Sequence, residues 1–377
     1  MLGFRYLLWF LVHCFLKRYI YEGTIKWCMV EHNHKDILVT TPDSFKLPKK
    51  LYNSYDVITI GSGTLDVFVD TDSEILKKKG SADELMAYPL GSKLLIKKLN
   101  FEIGGGGTNT AVSFARFGLK TGWIGSIGKC DNSKNILEIL HKEKIDFLGR
   151  IGNGVLGYSV ILDSIGHDRT ILTFKGENNN LDFNDISSNK LKTKWFYFCS
   201  MVGKSFITQK KLAKFAYDNK IRLAFNPSSY QAKLGAKVLA PILKYTNLLI
   251  LNLEEARLLV GQDLEVQELI EKIHKTGPHL VIITDGSKGA YCSDMANIFK
   301  VHPHNIKIKE TTGAGDAFAS SFLGAFIKSD DNVKLALKIA LINAQSVIQH
   351  YGAKNILLSW NDVVSKEKSK PVKITKL

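Results

Sequence analysis

The chain has 377 residues, 45% of them hydrophobic and 23% charged, with 30 glycines and 8 prolines. That composition excludes a collagen-like or disordered chain and leaves two domains or one large α/β domain, big enough to fold without disulfides. The formal charge is +15, but the lysines are scattered in short groups and no arginine-rich or aromatic-interleaved stripe appears, so a nucleic-acid partner is not expected.

In chain order, the first 50 residues read differently from the rest. Residues 7–16 are an apolar run interrupted by His13, with Arg5 before it and Lys17-Arg18 after it. Ten residues are too few to span a bilayer, and no small-residue cleavage site follows. An export or anchor segment, an amphipathic helix packed on the rest, and an upstream extension of a chain starting at Met29 all remain open. Residues 24–50 show no periodicity and are expected to form a poorly ordered arm. The body of the chain is expected over 51–362, followed by a basic tail at 363–377.

From Tyr55 the pattern becomes strand, loop, helix. Residues 55–60 (YDVITI) read as a buried strand ending at Gly61. Residues 94–103 alternate imperfectly and stop at four glycines. Residues 109–117 have helical spacing and end at Gly118, a C-cap residue type. Two runs, 158–162 and 170–174, flank a turn at Gly166-His167-Asp168 and read as a β-hairpin. Apolar runs at 195–199, 223–226, 248–251 and 280–284 then alternate with helical patterns. Such alternation predicts a three-layer α/β/α fold with a central, mainly parallel sheet. The hairpin does not fit that layout, so it is expected as a small β lid on one edge, near 85–103 and 155–176. The five cysteines, at 14, 28, 130, 199 and 292, form no CxxC pair. Zinc and secreted disulfide frameworks are therefore not expected, and a reducing cytoplasmic setting fits best.

The most informative segment is Glu310-Thr311-Thr312-Gly313-Ala314-Gly315-Asp316-Ala317-Phe318. Its glycines allow a tight turn that aims successive amides at one point at a helix start, where an anion is favoured. Asp316 would sit in that first turn, placed to take a proton from an attacking hydroxyl. Capping a helix is the equally good plain reading of the same aspartate. Gly104-Gly105-Gly106-Gly107-Thr108-Asn109 lies between a strand and a helix, yet matches neither the P-loop nor the dinucleotide pattern. Three more loops fall at strand ends, where open α/β sheets bind ligands: Asp66 in GSGTLD, Asn252 and Glu255 in LNLEE, and Gly286 and Gly289 in TDGSKG. Each alone reads as a cap or turn; together they exceed what capping requires.

In this order the loops resemble the ribokinase-like (PfkB) carbohydrate kinases. GGGGTNTAVSFARFGLKTGWIGSIG is similar to the first signature of that family and TTGAGDAF to its second, and the likeness covers roughly residues 55–360. The resemblance implies an ATP- and Mg²⁺-dependent kinase of a small sugar, with a nucleoside kinase of the same fold as the alternative. It implies Asp316 as catalytic base and the backbone of Gly313, Ala314 and Gly315 as anion hole. Asp66, Gly105, Gly106 and Asn109 match substrate contacts. Asn252, Thr284, Gly286 and Gly289 match the nucleotide side, and Glu255 of the NxxE motif orients Mg²⁺ through water. The hairpin matches a lid that in relatives often pairs two subunits, which implies a homodimer through the lid.

Three departures accompany the match. Glu310, which with Thr312 and Gly352 marks an activating monovalent-cation region, stands where the family usually has Asp, leaving potassium dependence open. Gly106 stands where ribokinases proper have Lys, and Asn226-Pro227-Ser228 lacks an arginine seen in some fructokinases. Asn178, Asn179 and Asn180 after the lid read either as sugar-hydroxyl contacts or as a plain turn. A binding protein that has lost catalysis is the competing class, and a nucleic-acid binder using the net charge is the second.

Overall fold

The computed structural model describes residues 54–377 except 72–73, 78–83, 164–168, 351, 353 and 355, together with 16–21 and 24–29. The chain divides into two units, Met1–Tyr52 and Asn53–Leu377. In the first, Leu16–Tyr21 pairs antiparallel with Thr24–Met29. These segments are rich in β-branched and aromatic residues, which favours strand over the irregular arm expected from residue 24. The rest of the arm and residues 7–15 of the apolar run lie outside the described residues. No helix among the described residues is long and apolar enough to cross a membrane.

The second unit is built on a ten-stranded sheet. Its strands, named here with those of the lid in chain order, are β1 (Tyr55–Ile60), β4 (Thr121–Ile124), β5 (Asp146–Phe147), β8 (Thr193–Cys199), β9 (Arg222–Asn226), β10 (Leu248–Asn252), β11 (Leu280–Thr284), β12 (Ala290–Ser293), β13 (Ile298–His302) and β14 (Lys373–Lys376). They lie in the order β5-β4-β1-β8-β9-β10-β11-β12-β13-β14. The seven from β5 to β11 run parallel, and the last three add antiparallel. The α/β class with a mainly parallel sheet is therefore as the alternation predicts.

The central strands are apolar run after run because both faces are covered. In β8, Phe196 and Phe198 point into one core, whereas Trp195, Tyr197 and Cys199 point into the other. The first core is closed by helix α2 (Gly203–Asp218) and helix α3 (Leu253–Val260); the second by α1 (Gly106–Arg116), α4 (Ala314–Lys328) and α5 (Val333–Ile348). The 363–377 segment is no tail. Helix α6 (Trp360–Ser369) and edge strand β14 carry it, with Val363 and Val372 buried, because its charges alternate with apolar residues that reach the second core.

The lid is a sheet of its own rather than an addition to the main sheet's edge. It has four strands: β2 (Thr64–Thr71), β3 (Ile96–Gly104), β6 (Gly157–Asp163) and β7 (Arg169–Phe174), in the order β7-β6-β2-β3. The expected hairpin is present as the antiparallel β6–β7 pair, while its turn at 166–168 lies outside the described residues. Strand β2 was not expected: Asp66, read as a loop residue, lies within it. Register assigns each lid face a character. Glu102, Asp66, Ser159 and Thr173 stand side by side on one face, and Phe101, Val67, Val160 and Leu172 on the other.

Candidate active site

Helix α1 starts earlier than its spacing suggests, within the glycine run, with Gly105 as N-cap at φ 94°. Packing dictates the glycines. A Cβ on Gly107 would lie 2.5 Å from the Trp123 indole nitrogen and 2.6 Å from the Gly61 backbone, and one on Gly104 would collide with the Asp66 carboxylate. Gly106 faces Cys199 and, 3.6 Å from its ideal Cβ, Asp316 Oδ1. The run thus lets the start of α1 press against β1, Asp66 and Asp316 together.

Asp316 is the third residue of α4, whose N-cap Gly313 is left-handed at φ 79°. The first amides of a helix have no partner within it. Here the Ala314 amide donates to the Thr311 carbonyl at 3.2 Å, and the first intrahelical bond runs from the Ala317 amide to the Gly313 carbonyl at 2.8 Å. The Asp316 carboxylate is not a cap. Asn109 Nδ2 donates to its Oδ2 at 2.9 Å, joining the two glycine motifs directly. Burial, above all, raises the Asp316 pKa, and the nearby Asp66 adds to this, while the Asn109 bond and the Lys354 ammonium oppose it. Asn109 is itself buried, and its Oδ1 acceptor has no partner among the described residues.

Asp66 is raised as well, chiefly by burial, against hydrogen bonds from Thr64, at 2.8 Å, and Ser159 and against the charges of Lys354 and Lys175. Asp66 thus acts on Asp316, and both are half-buried. On the far side, Asn252 and Glu255 form a capping box at the start of α3: Asn252 Oδ1 accepts from the Glu255 amide at 2.7 Å, and Glu255 Oε2 from the Asn252 amide at 3.1 Å. Burial pushes Glu255 up to about 7, with Glu254 and Asp316 contributing. Asn252 and Thr284 are register neighbours at the ends of β10 and β11. Gly286 and Gly289 follow with φ 48° and 95°, where the backbone comes so close to Val301 that Gly289 has no room for a side chain.

Other expectations resolve differently. Asn178 holds the lid base: it bonds both the amide and the carbonyl of Gly63 at 3.0 Å, so its amide is not open to a sugar. Asn179 instead borders a recess with Ser62, Lys175 and Ser200, and its buried Oδ1 has no partner among the described residues. Glu310 Oε2 accepts from the Gly352 amide at 3.2 Å, which ties two parts of the expected cation region together. The buried Thr312 hydroxyl beside them has no partner among the described residues. Sequence reasoning missed Lys354 and Lys175, both within the field of Asp66. Only the apolar stretch after Lys354 hinted that it is buried.

Residues 80–360 match the pfkB family carbohydrate kinases. The chain belongs to that family. As a carbohydrate kinase it is a phosphotransferase with an alcohol group as acceptor. It is 25% identical to an uncharacterized sugar kinase of Archaeoglobus fulgidus over 64% of this chain and 97% of that one. A nucleoside kinase of Methanocaldococcus jannaschii is 30% identical over 41% of this chain and 50% of that one. Among solved structures, ribokinase from Thermotoga maritima superposes with a TM-score of 0.71 at 21% identity, covering 83% of this chain and 99% of its own.

Proposed function

We propose that this kinase transfers the γ-phosphoryl group of ATP to a hydroxyl of a monosaccharide held between the lid and α1. Asp66 grips substrate hydroxyls, and Asp316 takes the proton of the attacking hydroxyl as its oxygen bonds to phosphorus and the bond to ADP breaks. The amides of Gly313, Ala314 and Gly315 receive the migrating group, Ala314 exchanging the Thr311 carbonyl for a phosphoryl oxygen. The observation that carries this reading is the Asn109–Asp316 hydrogen bond. It fixes a half-buried carboxylate at the start of α4 against the glycine-led start of α1, where the lid residue Asp66 also packs.

The residues present also fit Mg²⁺. Among the described residues no three metal-ligating side chains gather, which does not suit a protein cage but suits a hydrated ion held mainly by phosphates. Glu255, a buried carboxylate left near pKa 7, would orient the water shell of such an ion from beside Asn252. When bound, Mg²⁺ supplies charge neutralisation on the phosphates. Thr284, Gly286 and Gly289 fit the nucleotide side of the same strand ends.

We further propose that the catalytic unit runs from about residue 51 to the C-terminus and pairs with a second copy through the lid. The outward lid residues Phe101, Leu172 and Phe174 are all more than half exposed, which supports an apolar contact.

ADP release measured with ATP, Mg²⁺ and a panel of free sugars and nucleosides tests the reading. Turnover with a free sugar is expected. Turnover with nucleosides alone would replace the sugar by a nucleoside, and no turnover with any acceptor would overturn the reading.

A further inference from the structure

The chain leaves lid strand β7 through a single 3₁₀ turn, Gly176–Asn179, in which Glu177 and Asn178 are only 4% and 3% exposed. Both direct their side chains to the two stretches of chain that enter the central lid strands. Asn178 grips the approach to β2: its Oδ1 accepts from the Gly63 amide and its Nδ2 donates to the Gly63 carbonyl, each at 3.0 Å. Glu177 grips the approach to β6: its Oε1 accepts from the Gly154 amide at 2.8 Å, and its own amide donates to the Val155 carbonyl at 2.8 Å. The fit is close. A Cβ on Gly152 would collide with the Glu177 carboxylate, one on Gly154 would lie 2.6 Å from it, and one on Gly157 would collide with the Asn178 amide nitrogen. The dipeptide is itself fastened to the layers beneath the lid. Ser205 of α2 donates to the Asn178 carbonyl at 2.7 Å, and Ser126 donates to Glu177 Oε2 at 3.3 Å; both serines are fully buried.

These grips adjoin the groups that hold Asp66. Thr64, the residue after Gly63, donates to Asp66 Oδ1 at 2.8 Å. Ser159, two residues after Gly157, stands opposite Asp66 in the β2–β6 register and bonds its carboxylate as well. One pinned dipeptide therefore sets both donors and, through them, the carboxylate between. We propose that Glu177 and Asn178 are positioning residues for the sugar: by holding Gly63 and Gly154 against Ser205 and Ser126, they keep Asp66 where it meets the acceptor hydroxyls. This rests on the substrate role proposed for Asp66 above. The side-chain polar atoms of both residues are engaged by protein groups, so they act through Asp66 rather than on the sugar.

The test is steady-state kinetics by ADP release on wild type, Asp66→Asn, Glu177→Ala, Glu177→Gln and Asn178→Ala, with the best acceptor among D-ribose, D-fructose and adenosine. Thermal melts run alongside. Glu177→Ala and Asn178→Ala are expected to lose about 10- to 100-fold in kcat/KM for the acceptor, the scale of a small misplacement at a site. The loss should fall chiefly on the acceptor KM, with the ATP KM within about twofold of wild type. Glu177→Gln, whose amide oxygen still accepts from Gly154 and whose amide nitrogen donates to Ser126, is expected to stay within several-fold of wild type. A purely structural role would lower the melting temperature of the alanine variants and leave both KM values of the folded protein in place. That result overturns the proposal, as does a parallel rise of the two KM values or a Glu177→Gln as impaired as Glu177→Ala. If an alanine variant does not fold, Asn178→Asp decides: it keeps an acceptor for the Gly63 amide but sets an oxygen against the Gly63 carbonyl. An unchanged acceptor KM there overturns the proposal, and a raised one supports it. If no acceptor turns over in wild type, the kinase reading itself fails. If Asp66→Asn leaves the acceptor KM unchanged, the Asp66 assignment falls and this proposal with it; if wild type and Asp66→Asn behave as expected and only the other variants disagree, Glu177 and Asn178 alone are misassigned.

Discussion

The side-chain amide of Asn109 donates to Asp316 Oδ2 at 2.9 Å, bridging 207 residues of sequence. That bond joins the start of one glycine-led helix to the start of another. It also holds an aspartate that its sequence allows to be a cap as a half-buried carboxylate under the influence of a second acid, Asp66.

Asp316→Asn is expected to lower kcat by about 100- to 10,000-fold, the usual contribution of a positioned base, with ATP binding retained. Because the Asp316 pKa is raised in the folded protein, the native state binds its proton more readily than the unfolded chain does. Its ionised form therefore weakens the fold at neutral pH. The same variant should accordingly melt at a higher temperature than wild type at pH 7, with the difference shrinking as pH falls toward the ordinary aspartate range. In wild type, kcat/KM should fall at acid pH, beginning above that range. Near-normal turnover in the variant would remove Asp316 from the chemistry.

Glu255 can be divided into its two roles by substitution. Its carboxylate closes a capping box with Asn252, a geometry that glutamine also supports. Glu255→Gln should therefore melt close to wild type, whereas Glu255→Ala should lose about 1 kcal/mol of stability. If the charge orients Mg²⁺, Glu255→Gln still requires several-fold more Mg²⁺ for half-maximal turnover. The folded pKa near 7 sets the direction with pH: the charge is present above 7 and fades below it, so the wild-type Mg²⁺ requirement should rise as pH drops from 8 to 6. A titration that leaves Glu255→Gln superimposable on wild type would reduce Glu255 to a cap.

The glycine motif gives a third prediction. An added methyl at Gly104 overlaps the Asp66 carboxylate, and the backbone on either side is fixed by strand pairing and by Thr108. Asp66 must then move. Gly104→Ala is expected to raise KM for the sugar by tenfold or more while leaving KM for ATP within about twofold, since the proposed nucleotide side lies at the ends of β10 and β11; the two KM values measured separately decide it.

Much of the fold was legible because β1, β8, β10 and β11 are buried on both faces and so read as unbroken apolar runs. The first signature was legible because close approach at Gly104 and Gly107 leaves glycine as the residue that fits, and the second because Gly313 takes a left-handed φ of 79°. Asp66 was placed in a loop because Gly61-Ser62-Gly63 masks where β2 begins, although Leu65, Val67 and Val69 alternate with Asp66, Phe68 and Asp70 as a half-buried strand does. Lys354, one of 51 basic residues, carries no local signal beyond the apolar stretch that follows it. Its burial goes with Arg116 of α1 bonding the Lys354 and Leu357 carbonyls and Glu310 bonding Gly352, contacts that only the tertiary fold makes.

The lid supplies the last prediction. Register sets Phe101, Val67, Val160 and Leu172 in one row across four strands, with Ile103, Leu65, Tyr158 and Phe174 in the next row of that face. The inner row is anchored where Tyr158 accepts from Asn132 at 2.7 Å, but Phe101, Leu172 and Phe174 are 61%, 56% and 56% exposed. On the opposite face stand Glu102, Asp66 and Ser159, beside the proposed sugar site. A lid face this apolar gains by meeting another apolar face, and a second copy offers the same surface about a twofold axis. The chain should therefore sediment as a dimer at micromolar concentration. The double variant Phe101→Glu with Leu172→Lys should sediment as a monomer and melt within a few degrees of wild type, because neither side chain is part of the buried cores. If the lid needs its partner to close over the sugar, the monomer will also show a raised sugar KM with its ATP KM unchanged. A wild-type chain that sediments as a monomer throughout would leave the apolar face unexplained and remove the dimer from the proposal.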